Sequence, residues 1–290
     1  MRGNTSPMSG VLLFDKPSDM SSHRAVAIVR RLGNCKAGHA GTLDPMATGL
    51  LPILIGSATK LSTMLITGDK EYIATMLLGC ETDTLDTTGT VLAQSPVNVT
   101  LPQLEAAVLS FSGAISQVPP MYSAISIDGQ RMYKLARMGL EVDRPSRLVT
   151  IYKIELISFD GREAVISVAC SKGTYIRSLI ADIGLKLGCG ACMSALRRTT
   201  SAGFSIDDAH TVQSLERDGV LPHVISSEQL FHTLPILNPP DFYLRLLQNG
   251  QRVDAHKLGA RADAYRLYAE AGFIGLLERS DEKYGLIWRL

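Results

Sequence analysis

Strand-like and helical segments alternate along this chain, and a hairpin signal interrupts the alternation. Apolar runs such as Val11 to Phe14 and Tyr72 to Leu78 are separated by segments with helical spacing. Asp160-Gly161, in contrast, stands between the β-rich segments Val149 to Ser158 and Ala164 to Cys170, which is typical of an antiparallel pair. The pattern predicts an α/β chain of the α+β type, built on a mixed sheet.

The sequence marks the boundaries of two helices. The first begins at Ser21 or Ser22 and runs to about Leu32, with Gly33 as its C-cap. The second has Thr174 as its predicted N-cap and ends at Gly188. The apolar face of this second helix consists of Ile176, Leu179, Ile180, Ile183 and Leu187. A further helix is predicted over 58–66, after an apolar strand over 50–55.

Proline spacing suggests how the chain is divided. Between 222 and 240, four prolines lie among polar residues, which is typical of a linker. We therefore predict a flexible arm over 1–9, a large domain over 10–235 and a small β-rich module over 241–290.

Composition excludes several classes of protein. A formal net charge of +1 argues against a uniformly basic nucleic-acid coat but permits a local basic groove. No apolar run reaches the roughly 20 residues of a membrane span, and residues 1–9 lack the apolar core of a signal peptide. Five scattered cysteines indicate a reducing, cytoplasmic setting. Cys189 and Cys192 form one CxxC, yet no second pair accompanies them, so a metal or redox site is the minor interpretation.

One carboxylate stands out in a loop of small residues, Gly38 to Leu51. Asp44 is its only acidic residue, and Gly38, Gly41 and Gly49 allow backbone to approach a ligand closely. The apolar strand that follows can anchor the loop, which favours a site of chemistry. The alternative is an ordinary turn, because Asp before Pro commonly starts one. The loop alone favours the turn.

Arg177 gives Asp44 a partner. It falls in the first turn of the second helix, where a cation is unfavourable by roughly 0.3–1 kcal/mol. A carboxylate from another loop would offset that cost and would itself be held ionised. The alternative is an exposed, solvated arginine, and the residues alone do not choose between the two.

Other side chains leave two interpretations open. Tyr72 begins a half-buried strand and either joins the core or faces a pocket. His39 has no metal-site spacing around it and either stacks on a base or caps the loop. Asp83 and Asp86 are most simply turn residues. Four cations near glycines or element ends either contact phosphates or are solvated: Lys60, Lys172, Arg197 and Arg198.

Taken together, these motifs resemble a known family. In order along 10–205, the chain carries Gly38-His39-Ala40-Gly41-Thr42-Leu43-Asp44-Pro45, Ala47-Thr48-Gly49-Leu50-Leu51, Lys60, Lys70-Glu71-Tyr72, Thr82-Asp83-Thr84 with Asp86 and Gly89, Pro119-Pro120-Met121-Tyr122-Ser123-Ala124, Lys172-Gly173-Thr174-Tyr175-Ile176-Arg177-Ser178-Leu179 and Leu196-Arg197-Arg198. This set resembles the bacterial tRNA pseudouridine-55 synthases, the TruB family. No single motif is as specific as the joint match.

The resemblance implies a pseudouridine synthase fold with a mixed, largely antiparallel sheet. It implies isomerisation of uridine 55 in the T-loop of tRNA by a monomer, without cofactor or metal. Asp44 is then the catalytic residue, Tyr72 stacks on the flipped-out base, and Arg177 pairs with Asp44. Further roles carried over are a wedge in the RNA loop for His39, pocket lining for Leu196 and a place near the active site for Lys60. RNA backbone contacts are expected from Lys172, Arg197, Arg198 and Arg131.

The chain also departs from the family pattern. Ser126 follows Ile125 where the family often has Lys, so one basic contact is absent. The segment 124–150 resembles the insertion that closes over the T-loop, and the segment after 240 resembles a PUA-like domain weakly. Two alternatives remain: a non-catalytic RNA-binding or tRNA-refolding protein, and a guide-RNA-dependent relative. Intact Asp44, Tyr72 and Arg177 argue against the first, and the lack of a long basic tail argues against the second.

Overall fold

The computed structural model describes residues 8–122, 126–127, 130–132 and 144–290. Most of the predicted insertion over 124–150 and most of the arm over 1–9 therefore lie outside the described residues. The helices, in chain order, are α1 (Ser22–Gly33), α2 (Ser62–Ile66), α3 (Leu101–Leu109), α4 (Ile176–Leu187), α5 (Val212–Asp218), α6 (Ser227–Leu230), α7 (Asp241–Gln248) and α8 (Ala255–Leu258).

Strands occur along the whole described chain. In chain order they are β1 (Gly10–Lys16), β2 (Ala37–His39), β3 (Thr48–Ile55), β4 (Lys70–Leu78), β5 (Cys80–Thr82), β6 (Val91–Gln94), β7 (Gly113–Gln117), β8 (Ser126–Ile127), β9 (Gln130–Arg131), β10 (Arg147–Phe159), β11 (Glu163–Cys170), β12 (Ala191–Ser201), β13 (Phe204–Ser205), β14 (Val224–Ser226), β15 (Ile236–Leu237), β16 (Val253–Asp254), β17 (Ala264–Ala269), β18 (Gly272–Ser280) and β19 (Lys283–Arg289).

A ten-stranded sheet forms the centre of the molecule. Its main path runs β14-β1-β3-β12-β4-β11-β10-β7, with β2 added to β3 and β13 added to β12. The pairs are antiparallel except β12 with β3, which run parallel at Arg197 opposite Thr48 and Arg198 opposite Gly49. The predicted mixed, largely antiparallel sheet is therefore confirmed, and so is the β10–β11 hairpin.

Helices α1, α3 and α4 cover one face of this sheet with apolar side chains. Val29, Val108 and Ile180 are fully buried in one cluster with Ala74 and Met76 of β4. Each such large aliphatic side chain contributes about 1.5–3 kcal/mol on burial. This packing fixes the first turn of α4 over the end of β4, where the site described below is found.

One local prediction about helices is wrong, and another is confirmed in part. Thr174 is not the N-cap of α4: Tyr175 occupies that position without a side-chain cap, and the Thr174 hydroxyl donates to the Ser171 carbonyl instead. The helix expected over 58–66 is a 3-10 helix, Gly56–Leu61, followed by the short α2. The end of α4 is as expected, since Gly188 adopts a left-handed φ of 76°.

A second, five-stranded sheet follows at the C-terminus, in the order β15-β17-β18-β19-β16. The small β-rich module is confirmed as a sheet, while its likeness to a PUA domain and the domain limits stay predictions. Trp288 and Leu276 of this sheet share an apolar cluster with Val11 and Leu13 of β1. The Trp288 Nε1–H also donates to the Ser57 carbonyl at 3.0 Å, so the two sheets are packed together. In the described ranges, no helix is long and apolar enough to cross a membrane.

Candidate active site

The glycine-rich loop leaves the short strand β2 and enters β3. Two of its glycines have backbone conformations that other residues rarely adopt, with φ of 89° at Gly41 and 100° at Gly49. A Cβ on Gly49 would also lie 2.3 Å from the Arg198 carbonyl oxygen in the neighbouring strand. The loop is therefore fixed where β3 runs parallel to β12. The expectation that His39 lies in the loop is corrected, since it ends β2.

Asp44 and Arg177 come together in this structure. Arg177 Nε lies 2.9 Å from Asp44 Oδ2, and the side chains are 6% and 36% exposed, respectively. The remaining donors of Arg177 are also used: Nη1 donates to the Thr84 carbonyl at 2.9 Å and Nη2 to the Tyr122 carbonyl at 2.8 Å. The guanidinium is thus held from three sides, and Asp44 keeps an open edge toward solvent. A carboxylate in this position can act as nucleophile or base.

Asp86 completes the charged cluster, and the interpretation as a plain turn residue is wrong. Its side chain is 6% exposed, with Oδ2 lying 3.7 Å from Arg177 Nη1. Its other oxygen accepts from the Thr84 hydroxyl and from the amide and hydroxyl of Thr88. One buried cation therefore serves two carboxylates. The turn-like composition of the segment 81–89 concealed this role, whereas Asp83 does accept a hydrogen bond from the Thr90 amide within the turn.

The cluster sets the protonation of Asp44. Burial raises the pKa of Asp44 above its ordinary value; Arg177 opposes this rise and the negative charge of Asp86 adds to it. Asp44 is thus a stronger base than a free aspartate.

Lys16 is a buried residue of the site that the sequence did not reveal. Its side chain is inaccessible to solvent, and its ammonium donates to the carbonyls of Pro17, Met20 and Pro45 at 2.7–3.1 Å. Burial lowers the pKa of Lys16 to about 8, with nearby Asp44 opposing the shift. The contact with Pro45 fixes the residue after Asp44. Lys16 next to a proline at a strand end has the sequence pattern of a solvated turn, and that is why it was missed.

A cavity of about 560 Å³ opens beside Asp44. Its apolar lining includes Tyr72 of β4 and Leu196 of β12, and its cationic lining includes Lys172 and Arg147. Burial raises the pKa of Tyr72, so its phenol stays neutral. The structure therefore brings Asp44, Arg177, Tyr72, Leu196 and Lys172 to one cavity.

The two adjacent arginines of β12, which we expected to contact phosphates, both form hydrogen bonds within the protein. Arg198 is 1% exposed and donates to the carbonyls of Leu50 and Gly41 at 2.7 and 3.1 Å. The burial of Arg198 argues against the expected phosphate contact, because this guanidinium joins β12 to the glycine-rich loop. Arg197 lies toward solvent with a bidentate bond to Asp15, at 2.9 and 3.1 Å. An RNA contact by Arg197 stays a prediction.

Two further expected site residues, His39 and Lys60, lie away from the cavity lining. His39 packs edge-on against His23 at 5.4 Å between ring centroids, and burial lowers its pKa. Lys60 is exposed on the 3-10 helix after β3. The side chain of Arg131 lies outside the described residues. The RNA roles of all three stay predictions.

The structure also bears on metal and thiol chemistry. In the described part of the chain, no three His, Cys, Asp or Glu residues are placed to hold a metal ion. Cys189 and Cys192 are both buried, and burial raises the pKa of Cys192 to about 12. A protonated, buried thiol is unreactive.

Comparison with known proteins gives a consistent result. Residues 29–176 match the model described as TruB family pseudouridylate synthase (N terminal domain), and 177–234 match the tRNA pseudouridylate synthase B C-terminal domain. The chain is 46% identical to the tRNA pseudouridine synthase B of Chromobacterium violaceum, over 96% of this chain and 92% of that protein. It is 47% identical to the protein of the same name from Aromatoleum aromaticum, over 93% and 89%.

Solved structures agree with these sequence relatives. The fold is similar to a chain in the crystal structure of a Cbf5-Nop10-Gar1 complex, with a TM-score of 0.70 and 27% identity, covering 96% of this chain and 82% of that one. A second similar structure is an H/ACA RNP bound to a substrate RNA containing 2'-deoxyuridine, with a TM-score of 0.67 and 25% identity, covering 97% and 83%.

Proposed function

Because this chain belongs to the TruB family of pseudouridylate synthases and is an isomerase of uridine in RNA, we propose that it converts uridine 55 in the T-loop of tRNA to pseudouridine, with Asp44 as the catalytic residue. The name shared by relatives over nine-tenths of the chain supports tRNA as the substrate. We also propose that it acts as a cytoplasmic monomer, which five free thiols fit.

One observation carries this proposal: Asp44 reaches the edge of a cavity while a buried arginine holds its carboxylate at 2.9 Å. The reaction breaks the bond from C1′ to N1, turns the uracil and joins C1′ to C5, after which C5 loses its proton and N1 gains one. An ionised carboxylate at this point can attack the sugar carbon or the base, or remove a sugar proton. Each route begins with Asp44 deprotonated, as pairing with Arg177 favours.

The cavity suits a base taken out of its stack. A target uridine must leave the folded loop to reach Asp44, and Tyr72 and Leu196 offer it an aromatic ring and an aliphatic wall. Lys172 at the same cavity would hold a flanking phosphate. We further propose that His39 fills the space the base leaves and that Lys60 contacts the RNA near the loop.

Replacing the catalytic carboxylate tests the proposal. We expect Asp44→Asn to abolish tritium release from a T-arm hairpin carrying [5-³H]uridine, because the amide cannot act as nucleophile or base. The hairpin Kd should stay within a few-fold of wild type. A matched control is Asp83→Asn, which changes a turn carboxylate outside the cluster and should keep full turnover. Normal turnover by Asp44→Asn, or pseudouridine mapped at another position by the wild type, would overturn it.

A further inference from the structure

Charge is distributed unevenly along this nearly neutral chain. Residues 20–68 contain five Lys and Arg residues and a single carboxylate, Asp44. This segment therefore carries a formal charge of +4, and the rest of the chain carries −3. Since the one carboxylate is already paired with Arg177, the surface of this segment has cations and no acidic residue of its own.

The cations of the segment include a face of α1. Arg24 and Arg31 are seven residues apart, which is two turns, so they lie on one side of the helix about 10 Å apart. Both are exposed, and Lys36 follows the helix, also exposed. We call these three residues the α1 basic surface. Among the described residues, Arg24 and Lys36 form no ion pair, and Arg31 has only a solvated contact of 3.9 Å with Glu216.

Helix α1 is joined to the glycine-rich loop by direct hydrogen bonds. The Ser22 hydroxyl accepts from the Leu43 amide at 2.9 Å and donates to the Leu43 carbonyl at 3.0 Å, one residue before Asp44. Both hydrogen bonds are buried. The opposite side of the helix, through Ala25, Val26 and Val29, is in the core. The α1 basic surface is therefore held in a fixed position relative to Asp44, although it does not line the cavity.

We propose that the α1 basic surface is a second docking surface for RNA, which binds phosphates of the tRNA outside the T-arm while the target base occupies the cavity. This inference rests on the proposed function. Polyphosphate backbone is the ligand that fits, because a rigid face with spaced cations, of which only Arg31 has a carboxylate within 4 Å among the described residues, is complementary to regularly spaced negative charge. The cost of ordering the long side chains is recovered through release of counterions from the RNA.

The test compares two RNAs and two pairs of substitutions. Arg24→Gln/Arg31→Gln removes two charges from the α1 basic surface and keeps good helix formers. Arg261→Gln/Arg289→Gln removes two exposed charges from the C-terminal module, one before β17 and one in β19, as the control. The Kd of each protein for full-length unmodified tRNA and for the isolated T-arm hairpin is measured between 50 and 200 mM salt, with a thermal melt of each variant.

The expected result is specific to the longer RNA. Arg24→Gln/Arg31→Gln should weaken full-length tRNA binding about tenfold and reduce the slope of log Kd against log salt by nearly 2. Its hairpin Kd and its turnover of the hairpin should equal those of the control. Equal losses on both RNAs, or no loss beyond the control on either, would overturn the inference. Absence of pseudouridine after treatment with wild-type protein would instead contradict the proposed function.

Discussion

At the residue scale, Arg177 and Asp86 shift the pKa of Asp44 in opposite directions: Arg177 lowers it and Asp86 raises it. The proposed reaction requires Asp44 to be ionised, and its pKa is raised, so activity should fall as pH drops through a value above that of free aspartate. Asp86→Asn removes a negative charge and should lower the pKa of Asp44, moving the fall in kcat/KM to lower pH. Arg177→Gln removes the cation and should move it to higher pH, with a large loss of rate.

Profiles of kcat/KM against pH on the T-arm hairpin measure both shifts. If the acid limbs of the Asp86→Asn and Arg177→Gln profiles moved in the same direction, the cluster would not control the charge of Asp44. Asp83→Asn serves here too, because Asp83 bonds the Thr90 amide and should leave the profile unchanged.

The placement of side chains near the glycine-rich loop was partly predictable from the sequence. The cation in the first turn of a helix favoured a carboxylate partner for Arg177 without excluding a solvated arginine, and the family resemblance then implied the pair with Asp44. The burial of Asp86 and Lys16 could not be predicted, since turn-like neighbours surround solvated and buried side chains alike. The burial of Arg198 was missed for a related reason: it depends on the parallel contact of β12 with β3, which no local pattern encodes.

At the scale of elements, that parallel contact requires a glycine. A non-glycine residue in the left-handed conformation of Gly49 costs about 1–3 kcal/mol. Gly49→Ala should destabilise the protein by more than this amount, because its methyl group would also collide with the Arg198 carbonyl. Gly203→Ala is the matched control, with φ of 82° and no atom within 4 Å of the added Cβ. Denaturant unfolding of both variants separates collision from conformation. Equal losses would mean that β12 moves aside at no cost.

Elements with a long apolar period were predicted more accurately than their ends. The apolar face of α4 and the β10–β11 hairpin follow from local sequence, so both were found. The strand β2 has three residues, which is too short to show an alternating apolar pattern. The first turn of α4 begins without a side-chain cap, so no capping residue could indicate where it starts.

At the scale of the whole molecule, Trp288 joins the two sheets and is the only tryptophan in the chain. We expect Trp288→Ala to cost about 3–5 kcal/mol, because it opens a cavity between β1 and the C-terminal sheet. Trp288→Phe should cost less, since it keeps most of the packing and loses the bond to Ser57. In the wild type, Trp fluorescence and far-UV circular dichroism should report one unfolding transition in urea. Two separated transitions would contradict cooperative unfolding of the sheets.

The order of strands has a consequence for biosynthesis. Strand β3, which follows the glycine-rich loop, pairs with β12, about 150 residues later, and β1 pairs with β14, more than 200 residues later. In an emerging chain, β1 and β3 can already pair with each other, whereas the edge of β3 toward β12 and the edge of β1 toward β14 stay unpaired until those strands are made. Completion of the sheet must await synthesis of β14, so we expect these non-local pairings to slow folding and to leave strand edges unpaired during synthesis.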